Sequence, residues 1–430
     1  MLVITKEKVF IFKPILIREM INFERFELAN GLRVIVHQDK TTPMVAFNLL
    51  YDVGAKDESS SKTGFAHLFE HLMFGGSLHI ENYDEVVEKA GGQNNAFTSN
   101  DITNYYITLP KNNLEHAFRL ESDRMLRLAF TPKSLEVQRQ VVIEEFKQNY
   151  LNQPYGDVHL LLRPLAYKTH PYQWATIGKD ISHIEDATLE DVKSFFYSYY
   201  APNNAVLVIA GDVTVNEIKV LAEKWFSDIP KRDVPKRNLP KEPIQHQART
   251  LSVERAVPVD VIYKAFHMCS RKDERFFATD LISDILSRGS SSRLHKSLVK
   301  EQKLFSDIDA FIGGDMDEGL FYFGGKLSAG VTMKEAEAGI DAEINKLKTI
   351  LVSEEELSKV KNKVISAHMF SELNILNKAM NLATSELLGD PNLVNLEVDL
   401  YNAVSSAKIK QVANAIFRNE NSNTLYYHAK

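Results

Sequence analysis

Cysteine is almost absent from this chain of 430 residues, which contains only Cys269. A single thiol cannot form an intrachain disulfide, and it cannot supply the paired cysteines of a zinc finger or a CxxC redox site. This composition is typical of a reducing compartment, and we expect the protein to be cytoplasmic.

An excess of positive charge is also missing, because the formal net charge is -6 and the isoelectric point is near 6.1. Nucleic-acid binding requires basic groups that neutralise phosphates, so nucleic acid is not predicted as a partner. No apolar run approaches the roughly 20 residues that a helix needs to cross a bilayer, so no membrane span is predicted.

The N-terminus carries a short apolar run at residues 9–17 that resembles a signal peptide. Lys13 and Pro14 interrupt this run, and no small-residue cleavage site follows it. We therefore expect no signal peptide, although Met20 is an alternative start and residues 1–19 need not belong to the mature protein.

Proline and basic residues are concentrated between Pro230 and Pro243, where hardly any apolar residue occurs. Such a segment is typical of a linker, and a chain of this length exceeds what one hydrophobic core usually serves. We predict an N-terminal domain over residues 22–228, a linker over 229–248 and a C-terminal domain over 249–430.

The order of predicted strands and helices before the linker recurs after it. Asn30-Gly31 joins two stretches of alternating hydrophobicity, which predicts a β-hairpin, and strand patterns open the second half at residues 249–253 and 259–267. We predict an α+β fold of two homologous domains, each a mainly antiparallel sheet with helices packed on one side.

The most specific pattern is the run HLFEH at residues 67–71, whose two histidines share one face of a helix. Apolar residues surround them on nearly all sides of the predicted helix, which implies burial. Histidines in this setting suit zinc, and Glu70 beside them suits a base that acts on water. The alternative is that His67 and His71 are hydrogen-bonded core residues and Glu70 is an exposed charge.

Catalytic zinc sites use three protein ligands, so one ligand is missing from this pattern. The cysteine count excludes cysteine as the third ligand, so the candidates are a carboxylate or a further histidine. A long helix is predicted from Thr131, a typical N-cap residue, through Tyr150, and on it Glu145 projects to the flank of the apolar stripe whereas Glu144 points away. Glu145 is the best-placed carboxylate, unless both glutamates belong to a solvated face.

The HLFEH run resembles the inverted zinc motif of the M16 metallopeptidases, the pitrilysin and insulinase family. Together with further motifs, it makes the sequence resemble most of all the short-chain branch of this family, which includes mitochondrial processing peptidase subunits. The resemblance extends from about Phe23 to the C-terminus and implies a LuxS/M16 metallopeptidase-like fold. Besides HLFEH it rests on Val141–Glu145, Gly91–Thr98 with Asp101 and Tyr105-Tyr106, and Pro202–Ala205 leading to Gly211-Asp212-Val213.

The resemblance implies one zinc ion per chain, with His67, His71 and Glu145 as ligands and Glu70 as the general base. Relatives often carry a glutamate seven residues before the third ligand, and here that position is Gln138. A neutral amide can still orient the ligand through a hydrogen bond, but it adds no negative charge.

The resemblance also implies residues that bind the substrate. Asn95 and Ala96 would lie on an edge strand that pairs with an extended peptide, and Phe74 would line the pocket near the scissile bond. The alternatives for these three are a turn asparagine, a small strand residue and a core aromatic.

The second half departs from the family pattern. Many relatives place an arginine and a tyrosine seven residues apart, after a Ser-Arg-Leu stretch, to hold the substrate carbonyl. Ser-Arg-Leu is present at residues 292–294, but Val299 and Ser306 occupy the expected positions, and the neighbours Lys300 and Phe305 are poor substitutes. We therefore expect a heterodimer in which a homologous subunit supplies the arginine and tyrosine, or otherwise a homodimer.

These observations predict a zinc endopeptidase that hydrolyses peptides or unfolded segments inside a chamber between such domains. Two alternatives remain open. One is a non-catalytic assembly subunit that keeps the fold, and the other is a metal-dependent esterase, which the predicted peptide-binding strand disfavours.

Overall fold

The computed structural model describes residues 20–430, so the apolar run at residues 9–17 lies outside the described part. The strands of its first sheet are β1 (Glu24–Glu27), β2 (Arg33–Gln38), β3 (Met44–Tyr51), β4 (Gln93–Thr98), β5 (Thr103–Pro110) and β6 (Ala205–Gly211). Their order is β1-β2-β6-β3-β5-β4. The predicted hairpin pairs β1 with β2, with Glu24 opposite Val36.

The second sheet is formed after the linker. Its strands are β7 (Arg249–Arg255), β8 (Val261–His267), β9 (Phe305–Ile312), β10 (Leu320–Leu327) and β11 (Ser422–Ala429), in the order β7-β11-β8-β10-β9. Apart from β1, both sheets have the same strand arrangement. Each begins with one parallel pair, β2-β6 or β7-β11, and the next three strands in the sheet order are all antiparallel to their neighbours. The predicted α+β fold with two related domains is confirmed.

Helices connect the strands of each sheet. The first half contains α1 (Phe65–Leu72), α2 (Tyr83–Lys89), α3 (Leu114–Arg127), α4 (Pro132–Phe146), α5 (Val158–Ala166), α6 (Ser182–Glu185), α7 (Leu189–Tyr199) and α8 (Val215–Phe226). The second half contains α9 (Phe276–Ser287), α10 (Met333–Thr349), α11 (Glu354–Ser371), α12 (Ile375–Leu388), α13 (Leu393–Ala403) and α14 (Ser406–Ile416). No helix within residues 20–430 is long and apolar enough to span a bilayer.

The two halves exchange one helix each. Helix α12 packs on β3 and β6 of the first sheet, and α5 packs on β7, β8 and β11 of the second sheet. All seven residues of β6 are buried, as expected for a strand covered on both faces. The expectation of helices on one side only is therefore wrong, because a helix of the opposite half covers the other face.

Residues 230–248 contain no helix or strand, but side chains tie this segment to the first half. The Arg237 guanidinium donates hydrogen bonds to carboxylate oxygens of Asp52 and Asp57, each at 2.7 Å. The Glu242 carboxylate accepts backbone N–H groups from residues 168–170. This connection is consequently packed against the first half.

Candidate metal centre

The histidine pair lies on α1, whose start is fixed by a glycine and a buried carboxylate. Gly64 has φ +89°, and a Cβ there would lie 2.6 Å from the Ile177 carbonyl oxygen, so a larger residue does not fit. The Glu58 carboxyl group accepts hydrogen bonds from the backbone N–H groups of Gly64 and Ala66 at 2.9 and 2.8 Å. These bonds satisfy amides that the first helical turn leaves unpaired.

Helix α4 brings a third side chain to this pair. Its N-terminus is capped by Thr131, whose hydroxyl accepts the Ser134 N–H at 3.0 Å. The helix ends at Phe146, earlier than predicted, because a wider turn with π-helical geometry follows over Lys147–Leu151. Glu145 therefore stands in the last turn of α4, directly beside α1.

Three donor atoms converge at this crossing. The Nε2 atoms of His67 and His71 lie 3.3 Å apart, and Glu145 Oε2 lies 3.6 and 3.4 Å from them. Glu144 instead forms an exposed ion pair with Lys147 at 2.8 Å. Within residues 20–430, this is the only cluster of three or more side chains with the spacing of a metal site.

The electrostatics of the cluster suit metal binding. Burial lowers the pKa of His67 to about 4, so its imidazole is neutral near pH 7. Contact with His71 lowers the pKa of Glu145, which keeps that carboxylate ionised. Electron-rich atoms so close together are stabilised by a shared cation, and two imidazoles with one carboxylate match the donor set of catalytic zinc. The residues present therefore fit a zinc ion.

Glu70 faces the same space. With His67 and Glu145 it lines a cavity of ≈ 460 Å³, and Thr98 at the end of β4 forms the adjacent wall. Burial raises the pKa of the Glu70 carboxyl. A carboxylate beside a metal-binding cluster can accept a proton from a water molecule in this cavity.

The residues expected to bind substrate do not line this cavity themselves, but Asn95 and Ala96 precede its lining residues Phe97 and Thr98 on one strand. Asn95 and Ala96 are on β4, which within residues 20–430 pairs only with β5, so that its other edge has no neighbouring strand there. Phe74 lies beyond the end of α1 and lines a neighbouring cavity of ≈ 660 Å³. Its ring packs edge-to-face on Tyr83, with the ring centroids 5.5 Å apart.

Gln138 lies two turns before Glu145 on α4 and is half-buried. It is on the same side of the helix as Glu145 because seven residues make almost two full turns.

The two positions where the resemblance implies an arginine and a tyrosine carry Val299 and Ser306 instead. The Arg293 guanidinium is bound by both carboxylate oxygens of Glu356, at 2.9 and 2.6 Å. Phe305 is buried in the second core, Lys300 is exposed, and the Ser306 hydroxyl donates to a backbone carbonyl of β10 at 3.3 Å. Among these side chains the one guanidinium, that of Arg293, is engaged by Glu356, and none is a phenol.

Sequence reasoning missed part of the cavity wall. Asn149 follows Glu145 by one helical turn, and its amide donates to Glu145 Oε1 at 3.4 Å. The spacing of four residues could have indicated this contact. Tyr155 and His159 also line the cavity, but no local motif marks them, because the turn after α4 determines where they lie.

The fold and the cluster together define a two-domain α+β protein whose first half presents two histidines and a glutamate as potential metal ligands. Two family models match it. Residues 33–179 match the model described as insulinase, peptidase family M16, and residues 186–364 match the M16 inactive domain. The chain belongs to peptidase family M16.

Individual relatives agree with this assignment. A zinc protease named PqqE from Helicobacter pylori is 31% identical over 344 residues, which are 79% of this chain and 77% of the relative. A solved protease structure from Helicobacter pylori superposes with a TM-score of 0.89 at 28% identity, covering 95% of this chain and all of that one. The yeast mitochondrial-processing peptidase subunit beta (Saccharomyces cerevisiae) is 27% identical over 208 residues, 48% of this chain and 44% of the relative.

Proposed function

We propose that this chain is a zinc-dependent endopeptidase that hydrolyses peptides or unfolded segments. The main support is the convergence of His67, His71 and Glu145 next to Glu70, beside a sheet edge that is open to an extended chain. The similarity to a named zinc protease supports the same chemistry.

The three converging side chains would hold one zinc ion. Zinc at that point would supply a Lewis acid that polarises the scissile carbonyl and acidifies water. Gln138 would orient the Glu145 carboxylate from two turns away without adding charge.

Glu70 would be the general base. Its carboxylate would accept a proton from the attacking water as the new C–O bond forms, and would return it to the leaving amine as the C–N bond breaks. The backbone of Asn95 and Ala96 would pair with the extended substrate along the open edge of β4, and Phe74 would contact a substrate side chain from the neighbouring cavity.

The Glu70→Gln variant tests this mechanism. We expect it to bind about one zinc ion per chain, as in the unaltered protein, while cleavage of a quenched fluorescent peptide falls at least about 100-fold. The matched control is Glu144→Gln, because Glu144 points away from the cluster and its side chain is 68% exposed. Cleavage by Glu70→Gln at the unaltered rate would contradict the assignment, as would peptide cleavage that survives complete removal of zinc by a chelator.

We further propose that a homologous subunit completes the active site by supplying an arginine and a tyrosine. This rests on Val299 and Ser306 at the expected positions, and on the engagement of Arg293 with Glu356. The relative named subunit beta adds support. Full peptidase activity of the purified chain as a homodimer would contradict the heterodimer. A zinc-loaded chain that cleaves nothing, alone or with a homologous subunit, would instead favour a non-catalytic assembly role.

A further inference from the structure

The segment that follows Glu145 forms a wall of the cavity that contains the metal cluster. This wall runs from Asn149 to His159 and joins the end of α4 to the start of α5. Its ring-bearing side chains are Tyr150, Tyr155 and His159, and Phe97 on β4 contributes a further ring. Rings in a concave site offer large apolar contact areas to a ligand.

Of the three rings on this segment, His159 is the exposed one. Within residues 20–430, neither nitrogen of its imidazole has a hydrogen-bond partner. Tyr322 of the second half supports the ring edge-to-face, with the centroids 5.9 Å apart. Phe311 stacks on Tyr322, with the ring centroids 5.0 Å apart. The imidazole therefore lines the cavity and is supported by an aromatic ring of the second half.

Tyr155 is held in place by the second half. Its φ of 62° is an unfavourable conformation for a residue with a Cβ, and such strain persists only where surrounding contacts impose it. The contacts are two hydrogen bonds with Val259, because the Tyr155 hydroxyl donates to the Val259 carbonyl at 2.9 Å and accepts its N–H at 3.2 Å. The wall is consequently formed before any ligand arrives.

The charges around the wall disfavour ionised ligands. Among the described residues, no lysine or arginine lines the cavity, so an acidic side chain would find no cationic partner there. Glu70 and Glu145 are its acidic groups, and the proposed chemistry uses both. Although His159 keeps an exposed part, the partial burial of its ring, together with the Arg163 guanidinium, lowers its pKa, so the ring stays neutral near pH 7. Arg163 on α5 would also repel a cationic side chain.

We propose that Tyr155 and His159 form a specificity subsite that accepts an uncharged aromatic side chain of the substrate near the scissile bond. This inference rests on the proposed peptidase function, and it names the class of substrate residue that the site selects. The second domain, which holds no metal cluster, takes part in selection by fixing both rings through Val259 and Tyr322.

Peptide binding to the zinc-loaded Glu70→Gln protein tests this subsite without relying on turnover. Fluorescent peptides that differ at one central residue, as Phe, Ala, Lys or Asp, are titrated by anisotropy. We expect the Phe peptide to bind about tenfold more tightly than the other three. Adding His159→Ala to this protein should abolish most of the preference, whereas His159→Phe should keep it, because a ring is retained. His116→Ala is the matched control, since His116 is an exposed histidine on α3 away from the cavity.

Equal affinity for all four peptides would overturn the subsite, as would a preference that His159→Ala leaves intact or tighter binding of the Lys or Asp peptide. Cleavage by the unaltered protein separates this result from the proposed function. A protein that shows the binding preference but hydrolyses no peptide, alone or with a homologous subunit, contradicts the peptidase assignment and supports the subsite. A protein that hydrolyses all four peptides equally well contradicts the subsite alone.

Discussion

Glu58 is a buried carboxyl group at the start of the helix that carries His67 and His71. It is 8% exposed, and burial raises its pKa to about 8. The two hydrogen bonds that it accepts from backbone N–H groups lower the pKa, but by less than burial raises it. Its ordinary pKa is 4.5, so between these two values the folded protein retains a proton that the unfolded chain releases. The stabilisation from Glu58 is therefore complete below pH 4.5 and is lost as the pH rises through about 8.

We predict that Glu58→Gln changes the pH dependence of stability, because the amide stays neutral at every pH. The variant should lose stability relative to the unaltered protein near pH 5, where it lacks one good acceptor at the helix start. Between pH 5 and pH 8.5, the free energy of unfolding of the variant should rise relative to that of the unaltered protein by at least about 1 kcal/mol. A pKa shift of less than one unit is enough to produce a change of this size. Urea unfolding at both values measures this, and a constant difference would contradict it.

At the scale of elements, α12 lies in the second half of the sequence but belongs to the core of the first sheet. Ala379, Leu382 and Ala383 are fully buried with residues of β3 and β6, including Leu50 and Val206. The small alanine side chains allow the helix to approach the sheet, and Leu382 fills the space between them. A substitution in α12 should therefore reduce the stability of the first sheet.

We predict that Leu382→Ala destabilises the protein by about 2–5 kcal/mol, since it leaves a cavity against a sheet that is buried on both faces. The matched control is Leu373→Ala in the turn before α12, where Leu373 is 77% exposed and should change stability by less than about 0.5 kcal/mol. Hydrogen exchange should show faster exchange in β3 and β6 for Leu382→Ala than for the control. Protection lost only in the second sheet would disprove this placement of α12.

Local patterns could predict elements but not their partners. The hairpin at Asn30-Gly31 and the cap at Thr131 were predictable, because turn and cap preferences depend on a few neighbouring residues. The inward projection of Glu145 followed from helical periodicity. The exchange of α5 and α12 could not be predicted, because an apolar helical face is equally compatible with either sheet. His159 was missed for a similar reason, since only the turn after α4 places it beside the metal cluster.

At the scale of the whole molecule, a buried polar network reinforces the exchange of helices. Lys56 of the first half is 4% exposed, and its Nζ lies 2.7 Å from Asp101 and 3.0 Å from Asp317 of the second half. The Tyr172 hydroxyl donates to Asp101 at 2.5 Å, and the Met316 N–H donates to the same carboxylate at 2.9 Å. Separating the halves would break the contacts of Lys56 with Asp317 and of Asp101 with the Met316 N–H, and would leave the Lys56–Asp101 pair with fewer partners.

We predict that the two halves unfold as one unit, although each has its own sheet. Calorimetry should give a single transition whose calorimetric and van't Hoff enthalpies agree for the monomeric chain. A chain that ends at Ala248 lacks α12 and the contacts of Lys56 with Asp317, so it should expose the apolar outer face of β3 and β6 and fail to fold cooperatively. Two resolved transitions, or a cooperatively folded fragment, would contradict this.

The Lys56→Met variant separates the contribution of the polar network from that of the exchanged helices, because it removes the charge but leaves the helices in place. It should lower the melting temperature without splitting the transition.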